Sequence, residues 1–246
     1  MSAVPRSDRP RRQRHYLQGE MLEQQLAYWS TTLSGYENLA LPTDRLRPVT
    51  PDYRGKDRLL FLDAELSARL RAFAAERETT LYTVLLSAFY VTLAMISGQD
   101  DIVIGTPSDN RHHAQTQELI GLFVNSLALR ARVQPQMSIT KLIAQVHQVV
   151  ASAKMHQDLP FEQVLNALNV SRAPSIHPIF QVMFSLQRFG QADAWQNLPL
   201  IPVEYVDGQL LYSPAKFDLT LFIDDGLTCI TGCLNFAESL FDDQTR

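Results

Sequence analysis

Residues 122–133 read LFVNSLALRARV, and the kind of fold around them follows from how those side chains alternate. Successive side chains of a strand point to opposite faces. Here both sets are apolar except for Asn125, Ser126 and the terminal arginines. A strand that is apolar on both sides has to be covered on both, which places it inside a sheet layered with helices. Asn125 shares a face with Leu127 and Leu129, whereas Arg130 shares the other with Val124 and Ala128, so a regular strand cannot aim both at one channel.

Upstream, DIVIGTP (101–107) is a second strand, joined to the first by the polar loop SDNRHHAQTQE (108–118). Before it, Thr79 and Thr80 offer an N-cap to a long helix with Leu81, Leu85, Ala88, Phe89, Thr92, Leu93 and Ile96 on its apolar face, stopped by Gly98. DRLLFLD (57–63) is a strand leading into a helix with Leu66, Leu70, Phe73 and Ala74 on one face. Leu22, Leu26, Trp29 and Leu33 mark the first helix, and the Pro-rich stretch 37–55 is an extended connector.

Downstream, Ser138 caps a helix with Ile139, Leu142, Ile143, Val146, Val150 and Ala153 inward, and Pro160 sits at the first turn of a short one. From Pro178 on, strand-like segments at 179–187, 200–206, 216–224 and 227–236 alternate with turns at 189–190, 207–208 and 225–226. The fold class is therefore α/β, with several strands at the end.

With 246 residues, 46% apolar and 20% charged, the chain can bury a substantial core. No apolar run approaches the about 20 residues needed to cross a bilayer, and the arginines at the N-terminus precede no apolar signal segment, so a cytoplasmic protein is expected. Residues 1–15 hold five arginines against one aspartate and form a basic segment expected to be disordered, ahead of a domain at 16–246. The net charge of −4 puts an acidic body behind that head, which speaks against nucleic-acid binding. Cys229 and Cys233 would stand ~13 Å apart in a strand, beyond the ~7 Å reach of a disulfide, and are expected to be core thiols.

Several segments resemble, in order, the motifs of condensation domains of nonribosomal peptide synthetases. IGLFVNSLALR (120–130) is similar to the family's IGxFVNTxxxR, with Ser126 where Thr is usual, and HQDLPFE (156–162) matches HQDxPFE in full. RAPSIHPIFQVMF (172–184) resembles RxxSxxPLFQVMF, with Ala173 and Ile176 departing from common residues. The flanking stretches 17–35, 39–48 and 97–111 look like the family's inter-lobe helix, connector and approach to the FVN strand, so the resemblance covers about 16 to 245.

The resemblance implies one lobe of the chloramphenicol acetyltransferase-like fold, a mixed sheet packed with helices, and specifically the C-terminal lobe. The family's catalytic HHxxxDG motif belongs to the other lobe and does not occur here. His112-His113 is followed by Gln117 and Glu118 in place of Asp and Gly, and Gln cannot supply the charge that holds that motif's loop. The chain is therefore expected to hold no catalytic residue, metal or cofactor of its own and to be inactive alone.

By resemblance, Asn125, Ser126 and Arg130 are candidates to line the substrate tunnel, Asn125 foremost and on a central strand facing the groove. Arg130 is equally an ion-pair candidate. His156, Gln157, Asp158, Pro160, Phe161, Glu162, Arg172, Ser175 and Pro178 are motif residues of structural kind, with Asp158 organising a helix start. Ser175 and His177 do not make a hydrolase pair, because no GxSxG elbow exists. The implied partners are the N-terminal lobe, peptidyl carrier domains bearing 4'-phosphopantetheine, and an adenylation domain. The alternative expectation is a noncatalytic module that docks a carrier or partner enzyme. A stand-alone CoA-dependent acyltransferase would still need an HHxxxD-type site.

Overall fold

The structure, a computed structural model, describes residues 17–110, 124–170, 173–188 and 213–242. The basic segment 1–15, His112-His113, Arg172, the strand expected at 200–206 and the turns at 189–190 and 207–208 lie outside the described residues.

The elements in chain order are α1 (Gly19–Thr32), β1 (Gly55–Leu62), α2 (Ala64–Glu76), α3 (Leu81–Ser97), β2 (Asp101–Ser108), β3 (Asn125–Arg132), α4 (Ile139–Met155), α5 (Phe161–Ala167), β4 (Val182–Gln187), β5 (Leu219–Asp225) and β6 (Ile230–Ala237). Local chemistry sets the helix ends. The Asp63, Thr80 and Ser138 side chains accept the N–H groups of Leu66, Thr83 and Lys141, each satisfying one of a helix's orphan donors. Gly98 ends α3 at φ +71°, a left-handed conformation for which glycine has no Cβ penalty.

The strands form one mixed sheet in the order β1-β6-β5-β4-β2-β3, with β4 parallel to both β2 and β5 and the other pairs antiparallel. This corrects the expected position of the 122–133 strand. Among the described residues β3 is an edge strand, and it is nevertheless buried at Leu127, Ala128, Leu129 and Ala131 because α4 and α5 both pack on it, with α1 packed on α5. Tyr90 of α3, fully buried, donates its hydroxyl to the Leu129 carbonyl at 2.7 Å.

The expected helix faces shift in three places, the first being Leu66 of α2, which is exposed. Ala88, Thr92 and Ile96 of α3 lie outside the core, and its buried stripe runs through Leu81, Val84, Leu86, Phe89, Tyr90 and Leu93. α3 packs against α2 and α4 as well as β2, which turns its buried arc away from the face read from spacing alone. Ile139 is exposed at the start of α4. The cysteines are half-buried rather than core thiols. Cys233 pairs with Leu59 and Phe222 across the sheet, and burial, then neighbouring Asp57, pushes its thiol up to about 12, so it stays protonated.

Gly105 shows how tightly the sheet is packed. A Cβ there would stand 2.2 Å from Cε2 and 2.4 Å from Cδ2 of the fully buried Phe180. Gly105→Ala is expected to lower the unfolding free energy by about 1–3 kcal/mol, the usual cost of overpacking. Phe180→Leu in the same background should recover part of it, since the two sites share one space. Urea denaturation measures both, and an unchanged midpoint for Gly105→Ala would show that the ring can retreat.

Candidate functional site: the clamped HQDLPFE turn

The two motif segments read as candidates meet at one end of β3. Asn125, the first residue of β3, donates both amide hydrogens to backbone, to the Gln157 carbonyl at 2.9 Å and the Leu159 carbonyl at 2.8 Å. Its oxygen accepts from the N–H of Ser126 at 3.0 Å and of Phe161 at 3.1 Å. The Phe161 N–H opens α5, so Asn125 both closes the turn and satisfies a donor at the helix start. Ser108, which pairs with Asn125 at the end of β2, donates its hydroxyl to the Gln157 side-chain oxygen at 2.6 Å. Gln157 is thus gripped by both strands.

The other side of the turn is held by α1. Trp29 donates its indole N–H to the His156 carbonyl at 3.0 Å, and Gln25 its amide to the Met155 carbonyl at 3.3 Å, satisfying acceptors that the end of α4 leaves open. Tyr28 stacks on the His156 ring at 3.8 Å and 5°. His156 Nδ1 lies 2.8 Å from the Ser152 carbonyl, so that nitrogen carries the proton. Burial of the Tyr28 hydroxyl raises its pKa.

Arg130 lies toward the opposite end of β3 from Asn125. Its guanidinium is bidentate on Asp101, at 2.8 Å through both Nε and Nη2, and donates to the carbonyls of Thr32, Ser34 and Gly35 at the end of α1. The Arg130 contact, then its charge and that of Arg132, outweigh burial and hold the Asp101 carboxyl below its ordinary value. Among the three tunnel candidates, Asn125 and Arg130 are fully engaged with backbone or Asp101. Ser126 is half-buried, its N–H held by Asn125. The expectation that the Asn125 amide faces a groove is corrected: its hydrogens point at carbonyls of the turn.

The third motif segment is tied to the connector. Arg47 donates to the Ser175 carbonyl at 3.1 Å and pairs with the buried Asp218, just before β5. Gln181, buried, accepts from the Leu39 N–H at 2.7 Å and donates to the His177 carbonyl at 3.0 Å. The Pro178 carbonyl and the Phe161 ring both meet His177, at 3.0 Å from Nδ1 and 5.8 Å between ring centres. Asp158 and Glu162 both have partners. Tyr28, Arg47 and Asp218 are site residues that the sequence does not single out, and Trp29 is read there only as part of an apolar helix face; all four find their partners more than a hundred residues away, and no local spacing announces those contacts. Among the described residues no group of three His, Cys, Asp or Glu could hold a metal ion.

A family model described as the condensation domain matches residues 10–246. Malpibaldin synthetase of Mortierella alpina is 40% identical over 239 residues, which cover 95% of this chain and 4% of that protein. N-(5-amino-5-carboxypentanoyl)-L-cysteinyl-D-valine synthase of Amycolatopsis lactamdurans is 38% identical over 94% of this chain and 6% of its own length. The chain thus spans a small fraction of the curated relatives it matches. Among solved structures, the X-domain from teicoplanin biosynthesis superposes at a TM-score of 0.85 and 25% identity, over 99% of this chain and 56% of that one. A four-domain nonribosomal peptide synthetase bound to AMP and glycine shares the fold at a TM-score of 0.80 and 24% identity, over 91% of this chain and 18% of that one.

Proposed function

This chain belongs to the condensation-domain family, and we propose that it supplies one lobe of a domain joining carrier-bound aminoacyl or peptidyl thioesters through an amide bond. The observation that carries the reading is the superposition of nearly the whole chain on 56% of the X-domain, as one half of a two-lobed body would give. In the reaction, the acceptor amine attacks the donor thioester carbonyl, the carbon–sulfur bond breaks, and the phosphopantetheine thiol leaves with a proton. Carrier domains bring both substrates, and an adenylation domain of the same assembly line loads them.

This lobe's share is positional. Holding amine and thioester at reactive distance is worth up to ~7–11 kcal/mol in favourable cases, and a wall can do that only if its own elements are rigid. The clamps on the HQDLPFE turn, from β2, β3 and α1, supply that rigidity. Proton handling belongs to the HHxxxDG lobe.

The purified chain should form no dipeptidyl product from two carrier-bound aminoacyl substrates above the uncatalysed rate. Adding the HHxxxDG lobe of an active relative should restore product, followed by mass spectrometry of the carrier-bound species. Product from the chain alone would overturn the reading. Failure of the added lobe to restore it, with binding between the lobes intact, would favour the noncatalytic docking module instead.

A further inference from the structure

A cavity of about 340 Å³ opens between the connector, the start of α5, the 173–178 segment and the approach to β5. His177 lines it, with the rings of Phe161 and Phe217 beside it. His177 Nδ1 lies 3.0 Å from the carbonyl oxygens of both Pro178 and Phe180. Two acceptors on one ring nitrogen require that nitrogen to carry the proton, so the lone pair is on Nε2. No described residue donates to it.

The turn that produces this arrangement is strained. Ile179 lies between the two carbonyls at φ +73°, left-handed backbone that a β-branched residue rarely adopts, and it is fully buried. Such strain costs on the order of 1–3 kcal/mol and persists where surrounding structure over-determines it, commonly at ligand sites. Here it directs both neighbouring carbonyls onto one imidazole. Burial holds the His177 pKa below its ordinary value against the opposing pull of those carbonyls, Asp218 and Glu162, so the ring is neutral at neutral pH.

The occupant's chemistry follows from the walls. Charge on the walls selects neither ion: Arg47 is paired with Asp218 and Asp52 with Arg54, and the remaining lining charges, Lys216 and Glu162, are of opposite sign. What suits an acceptor between aromatic rings is a neutral aromatic group with one donor. We propose that this cavity binds an indole or phenol ring whose N–H or O–H donates to His177 Nε2. Its volume lies in the range of small-molecule sites, and the inference is independent of the proposed amide-forming role.

The full chain, labelled with nitrogen-15 at histidine, is titrated with indole and with N-methylindole, which has the same ring and no donor. Indole should bind at least about tenfold more tightly, because a site built to receive a hydrogen bond rejects the analogue lacking it. The His177 Nε2 resonance should shift with indole alone. His177→Phe, checked for folding by circular dichroism, should bind both probes equally. Should that variant not fold, the two-probe comparison on the native chain still decides. Equal affinity for the two probes, no binding of indole, or an Nε2 resonance unmoved at saturation overturns the proposal. A short Trp-containing peptide then separates the sources: tighter binding than free indole sustains the site with a partner's side chain as ligand, weaker binding sustains it with a small molecule.

Discussion

Replacing Arg130 with Ala is expected to lower the unfolding free energy by about 3 kcal/mol, the lower end of the range for breaking a buried ion pair. The guanidinium side chain is 13% exposed and makes five contacts, two to Asp101 and three to the carbonyls of Thr32, Ser34 and Gly35. Its loss strands those carbonyls and leaves Asp101 with Arg132, at 3.2 Å and largely exposed. The low end applies because Asp101 itself is 27% exposed and water can reach it. Arg130→Lys should lose less, since an ammonium keeps the charge without the planar fork.

The pH dependence gives a second readout. Asp101 has its pKa lowered in the folded state, chiefly by the Arg130 contact. A carboxylate so placed contributes stability above its unfolded value of about 4, and that contribution is lost as pH falls through the lower folded value. Arg130→Ala should therefore unfold at lower urea near neutral pH and show a shallower decline on acidification. Parallel curves for the two proteins would mean that the Asp101 pairing contributes nothing to the acid limb.

The parts of this fold that can be read from the chain are those decided within a few residues. Thr80, Gly98 and Ser138 mark helix ends because a cap bonds three residues on, or because glycine alone tolerates left-handed backbone at no cost. The place of β3 is not legible. A strand apolar on both sides reads as central, and the same pattern arises at the edge of the sheet that the described residues form when α4 and α5 close over it. The Arg130 ion pair is legible as one of two possibilities, since an arginine beside a buried strand needs a counter-charge. Arg47 with Asp218 is not, because the partners are 171 positions apart and each sits among ordinary loop residues.

Asn125 carries the sharpest reversal and the second large effect. A side chain lining a substrate groove could be shortened with little loss of stability. One that clamps a turn cannot. Removing this amide leaves the Gln157 and Leu159 carbonyls and the Phe161 N–H without it, and each such group costs about 1–3 kcal/mol when left unmade. The residue is half-buried, so water can replace part of what is lost, and Asn125→Ala is expected to lower the unfolding free energy by about 3 kcal/mol rather than by the full sum. Asn125→Asp keeps an acceptor for Phe161 but sets a carboxylate against two carbonyl oxygens, so it should be at least as destabilising near neutral pH and recover as acid protonates it. Hydrogen exchange at the Phe161 amide should accelerate in both variants, because that N–H loses its acceptor or the geometry that aims it. In a reconstituted two-lobe enzyme the rate at low temperature, where both variants remain folded, should fall far less than loss of a tunnel residue would require. A variant with native stability and native exchange at Phe161, but a lost condensation rate, would instead put Asn125 in the tunnel.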